Sequence, residues 1–135
     1  MTTPLHRSAQ TRACCAEALA QLESQCSSLK LAVVVSDDGF EVASHGLFNQ
    51  QGNRLASMAS SMQALGDAAA REMKLSPCEY LLIDTADGHL LQRRIHGYPL
   101  VLCAVFDHRE TVGRSLFAAS ECAQSIAKNM LQVAA

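Results

Sequence analysis

Residues 31–44 read L-A-V-V-V-S-D-D-G-F-E-V-A-S. Leu31 to Ser36 is rich in β-branched residues and apolar on both alternating faces. A strand of that kind needs cover on both sides, which places it at the centre of a sheet. Asp37-Asp38-Gly39 is a tight-turn signal, so Phe40 to Ser44 is expected to return beside the first strand.

The same pattern recurs downstream. Glu79 to Thr85 reads as a strand, Ala86-Asp87-Gly88 as a second hairpin turn, and His89 to Ile95 as its partner. His96-Gly97 turns the chain into Pro99 to Phe106, another strand apolar on both faces. Upstream, Cys15, Ala18, Leu19, Leu22, Cys26 and Leu29 recur at helical spacing, which predicts a helix over about 11–27. His45 to Gly52 reads as a loop. Asn53 is a candidate cap for a second helix running to Lys74, with Pro77 stopping any continuation. A last helix is expected to open near Thr111, with Val112, Leu116, Ala119, Ala123, Ile126 and Met130 as its inner stripe.

The predicted order is α-β-β-α-β-β-β-α. Every strand-to-strand link is short, so the five strands should form a mainly antiparallel sheet in an α/β (α+β) fold. The two strands apolar on both faces require helices on both sides of it. Residues 1–10 are expected to be a flexible tail and 11–131 a single domain.

Composition narrows the function. Charged residues are 18% of the 135, below the usual share of about 25%, so another chain is expected to cover part of the surface. The net charge of −2, with aromatics at 4% and no Trp, argues against a nucleic-acid partner, which calls for clustered positive charge and stacking platforms. No apolar run approaches the ~20 residues of a membrane helix, and the first residues contain no apolar h-region, so the expected compartment is the cytoplasm, with no membrane contact. The six Cys are expected to be free thiols, mostly buried. Cys78, after Pro77 in a loop, is the one candidate for an exposed thiol.

Catalytic and cofactor motifs are missing. No G-x-S-x-G, G-x-G-x-x-G, Walker loop or H-E-x-x-H occurs. Ser27 to Lys30 and Ser125 to Lys128 match S-x-x-K without its companion elements. No C-x-x-C occurs, and adjacent Cys14 and Cys15 make a poor chelate. Asp37, Asp38, Asp84 and Asp87 sit at turns, where Asp serves turn geometry. His45, His96 and His108 read as surface residues. No catalytic residue, metal or cofactor is expected.

The second helix is the distinctive element. From Leu55 to Gly66 it reads L-A-S-M-A-S-S-M-Q-A-L-G, with no charge. Leu55, Met58, Ala59, Met62, Leu65, Ala69 and Met73 cluster on one side, expected to face the sheet. The other side carries Ser57, Ser60, Ala64 and Ala68, with Ser61 on its flank. Exposed helix faces normally carry charge, and buried interfaces are depleted of it. This side is therefore expected to meet another chain. Asp67 and Arg71 are spaced to pair with each other.

Three stretches resemble the Roadblock family (dynein light chain seven type) in its bacterial form. They are residues 31–44, residues 53–91 from N-R-L-A-S-M-A-S-S-M through L-L-I-D-T-A-D-G-H-L-L, and L-V-L-C-A-V-F-D-H-R-E-T-V-G-R-S-L, residues 100–116. In the third, Gly113 holds a small-residue position opening the last helix. The resemblance implies a profilin-like sandwich, with the long middle helix on one face of the sheet and the terminal helices on the other. It implies homodimers in which middle helices pack together and third strands join edge to edge. The expected dimer contacts are then Ser57, Ser60, Ser61, Ala64, Ala68 and Arg71 on the helix, with Leu81 and Ile83 on the strand. The family regulates or scaffolds Ras-like small GTPases, and its gliding-motility members activate a GTPase by rearranging that partner's own catalytic residues. The alternative reading is a small-molecule sensor or a structural dimerisation module with no GTPase partner.

Overall fold

The structure, a computed structural model, describes residues 4–46 and 49–134; of residues 49–52 and 132–134 it describes the backbone alone. After a single 3-10 turn at Leu5–Arg7, the elements are α1 (Ala9–Gln25), β1 (Leu29–Ser36), β2 (Glu41–His45), α2 (Asn49–Glu72), β3 (Tyr80–Thr85), β4 (Gly88–Ile95), β5 (Leu100–Asp107) and α3 (Val112–Ala134). The order matches the expectation. All five strands pair antiparallel, in the spatial order β2-β1-β5-β4-β3.

The two strands that are apolar on both faces, β1 and β5, lie side by side in the middle. Val34 pairs with Leu102 and Val33 with Cys103, and all four are fully buried. Side chains alternate across the sheet, so each strand feeds two cores. One core holds Ala32, Val34, Leu102 and Ala104 against Leu19 and Leu22 of α1 and Ala119, Ala123 and Ile126 of α3. The other holds Val33, Val35, Val101 and Cys103 against Leu55, Ala56 and Ala59 of α2. Terminal helices therefore cover one face and α2 the other.

Helix ends follow local chemistry. Ser8 caps α1 by accepting a hydrogen bond from Thr11 N–H at 3.3 Å. Thr111 caps α3 by accepting from Arg114 N–H at 3.3 Å. The region expected to be a flexible tail carries structure from Pro4 onward, with Leu5 packed against the larger core. Residues 1–3 lie outside the described residues.

The expected loop over 45–52 is corrected. His45 ends β2 and α2 already runs from Asn49, so Asn53 lies inside the helix and does not cap it. Residues 47 and 48 lie outside the described residues. Gly52 reads as a breaker, yet a glycine within a helix costs only about 1 kcal/mol, which the rest of a long helix outweighs.

A buried polar contact fixes α3. His89 of β4 is buried, and its Nε2 stands 2.6 Å from Ser115 Oγ. Ser115 Oγ donates to Thr111 O, so the ring nitrogen donates to Ser115. His89 also stacks on Phe106, its cross-strand neighbour.

Candidate protein-protein interface

The face of α2 turned to the sheet is only in part the one expected. Leu55, Ala56, Ala59 and Gln63 are buried, whereas Met58 is 53% and Leu65 71% exposed; Met73, expected on the same stripe, lies just past the helix and is 71% exposed. The buried stripe is rotated from the expected one because Gln63, a polar residue, occupies a core position. Its place is explained from below. Gln92 of β4, fully buried, donates to Ala59 O at 2.9 Å and to Gln63 Oε1 at 3.2 Å. Two glutamines satisfy part of each other's hydrogen-bonding need between helix and sheet.

The network continues along the helix. Gln63 Nε2 donates to Cys78 O, and Asp67 accepts from Cys78 N–H at 3.0 Å and from Arg94 at 2.6 Å. Asp67 thus pairs with Arg94 of β4 and not with Arg71. Burial alone would raise the Asp67 carboxyl. The hydrogen bonds from Arg94 and Cys78 N–H, the Arg94 charge and Gln63 together outweigh burial and hold it below the usual carboxylate range. This pair supports folding at pH values above the unfolded carboxyl pKa of about 3.9, and its support is lost as pH falls through the lower folded value. Asp67→Asn is expected to lower stability at pH 7 by about 1–3 kcal/mol, with the gap to wild type closing in acid. Urea titrations at several pH values test this; an equal deficit at all pH values would contradict it.

Gly66 lets α2 run low over the β3 approach. A Cβ there would stand 3.1 Å from Cys78 Sγ and 3.3 Å from Leu81 Cδ2. Cys78 is half-buried; burial and then the Asp67 carboxylate push its thiol up, against a smaller lowering by Arg94. Burial raises Cys15, Cys103 and Cys122 to about 12. None of these is in the electropositive setting that activates a thiol.

The candidate contact residues fall as follows. Ser57, Ser61, Ala64 and Arg71 are exposed on α2, and Ala68 is half-buried. Ser60 turns inward: its Oγ donates to Asp37 O at 2.6 Å, tying α2 to the β1–β2 turn. On β3, Leu81 is half-buried beneath α2, while Ile83 is 46% exposed. β3 is a sheet edge, bonded to β4 alone. Met58 and Leu65, which the pattern assigned to the core, join Ser57, Ser61 and Ala64 on the outer face. Apolar helix surface and an apolar edge strand thus adjoin on one side of the molecule, a combination that marks interaction sites and aggregation hazards.

The sequence profile of the Roadblock/LC7 domain matches residues 16–95. The chain belongs to the Roadblock/LC7 domain family. Among solved structures, this Roadblock/LC7 domain is similar to the gliding protein MglB of Thermus thermophilus, at a TM-score of 0.81 and 15% identity, covering 96% of this chain and 97% of that one. It is similar to a Roadblock/LC7 domain of Streptomyces avermitilis, at a TM-score of 0.79 and 15% identity, over 86% and 97% of the two chains. The LokiProfilin2/rabbit actin complex matches at a TM-score of 0.55 and 17% identity, over 83% and 94%, which places the sandwich among profilin-like folds. No curated protein matches the sequence. Among the described residues, no helix is long and apolar enough to cross a membrane.

Proposed function

We propose that this Roadblock/LC7 domain is a homodimeric, non-catalytic regulator or scaffold of a Ras-like small GTPase, acting in the cytoplasm through protein contact and without a cofactor. The observation that carries the reading is the charge-free stretch of α2 from Leu55 to Gly66, with exposed Met58 and Leu65, beside the apolar edge strand β3. A dimer joined through α2 and β3 buries both. Edge-to-edge pairing of β3 with its copy supplies partners for the open backbone groups. The family resemblance supplies the GTPase. Any stimulation of hydrolysis then works, as the family resemblance implies, by positioning the partner's own catalytic groups.

Capture from host lysate with the tagged protein tests the reading, run in parallel with a GTP analogue and with GDP and read by mass spectrometry. Enrichment of a Ras-like protein with the GTP analogue is the expected result. Enrichment that ignores the nucleotide reduces the role to a scaffold. Absence of any GTPase in both arms, from a protein confirmed as a dimer, overturns the GTPase reading and leaves a structural module.

A further inference from the structure

A second feature of α2 lies at its C-terminal end, between the helix and β4. A cleft of about 430 Å³ opens between Asp67 and Arg71 of α2, Leu75 and Pro77 of the connection, and Arg94 of β4. Two guanidinium groups line it against one carboxylate. Asp67 is taken by Arg94, and Arg71 makes no ion pair among the described residues. Arg94 Nε is buried and has no acceptor among the described residues. Native proteins rarely leave a buried donor unpaired. The rim is apolar: Leu75 is 67% exposed beside Pro77.

From this arrangement we propose that the cleft receives an acidic side chain of a protein partner, flanked in that partner by an apolar residue. The excess guanidinium selects a carboxylate, and a bidentate guanidinium–carboxylate contact is the strong form of such a bond. The apolar rim selects a peptide over a small inorganic anion, which would leave Leu75 and Pro77 in water. Arg94 is pre-positioned, since Asp67 already fixes its guanidinium and little side-chain freedom is lost on binding. Arg71 is exposed, and orders when the ligand arrives. The proposal does not rest on the identity of the partner as a GTPase.

The test uses the full chain, isotope-labelled, with the arginine side-chain N–H signals followed by NMR. The probes are the blocked synthetic peptides Leu-Glu-Leu-Glu-Leu and Leu-Gln-Leu-Gln-Leu. The acidic peptide is expected to shift the Arg71 and Arg94 Nε–H signals saturably, with an affinity at least about tenfold above that of the amide peptide. Arg71→Gln, a surface change that leaves the Asp67–Arg94 pair intact, should remove most of that preference. An equal response to both peptides overturns the proposal, as does saturable binding that leaves the two arginine signals unmoved. An Arg94 signal that changes on dilution of the protein alone would assign the cleft to a second copy of this chain and also overturn it. None of these outcomes bears on nucleotide-dependent capture, so the two proposals fail separately.

Discussion

If the protein dimerises through α2 as proposed, Leu65→Glu should leave it a monomer at micromolar concentration. Leu65 is 71% exposed in the single chain, so the substitution leaves folding nearly unchanged, within about 0.5 kcal/mol. In an isologous dimer the same patch meets itself, so each glutamate enters a surface from which charge is excluded and faces its own copy across the axis. An unpaired charge in such an interface costs about 3 kcal/mol or more, which weakens the dimer by roughly a hundredfold or more. Ala64→Glu, one residue away and also exposed, should act in the same direction. Gln124→Glu on the exposed side of α3 should leave the dimer intact. Sedimentation velocity over a concentration series separates these cases. If Leu65→Glu sediments as the wild type does, α2 is not the dimer face, and the edge strand alone must be tested through Ile83→Asp.

The contrast between β1 and α2 shows what a sequence displays. The run at 32–35 is apolar at every position, so its burial on both faces requires no knowledge of its neighbours, and the structure leaves all four side chains fully buried. The turns at Asp37-Asp38-Gly39 and at Ala86-Asp87-Gly88 are equally plain, because their glycines supply backbone freedom that flanking strands lack. With five strands and short links, the order and the antiparallel sheet follow. For α2 the absence of charge is visible, but the direction of its faces is not. Gln63 sits where an apolar residue would be expected, and its partner Gln92 lies on a strand 29 residues away. Asp67 likewise passes over the nearby Arg71 for Arg94, on β4, because the helix crosses that strand. Local periodicity carries no information about such long-range polar pairs. Once Gln63 is placed inside, Met58 and Leu65 must turn outward, and the outer face becomes more apolar than Ser and Ala alone suggest.

Gly88→Ala is the substitution in the sheet expected to cost most. Gly88 follows the two-residue turn and opens β4, pairing with Thr85 on one side and Asp107 on the other. Its φ is 155°, and a Cβ there would stand 2.1 Å from Phe106 O and 3.0 Å from Asp107 Cα. Both neighbours are backbone of β5, the strand shared by both cores, so neither can swing aside as a side chain would. The start of β4 must lift from β5, which also disturbs the cross-strand stack of His89 on Phe106 and, through it, the contact with Ser115. Overpacking and backbone strain together are expected to cost about 3–5 kcal/mol, a fall of roughly 10 °C or more in Tm for a domain of this size. Gly113→Ala is the counter-case. A Cβ there meets nothing within 4 Å, so the fold of the single chain does not require the small residue expected at that position. Inside a helix it should raise stability by about 0.5–1 kcal/mol. Thermal unfolding of the two variants beside the wild type measures both signs. A Gly88→Ala protein melting within about 2 °C of wild type would mean that β4 does not lie against β5 at this residue. A Gly113→Ala protein with raised Tm but a lost partner would place the need for a small side chain in the complex and not in the fold.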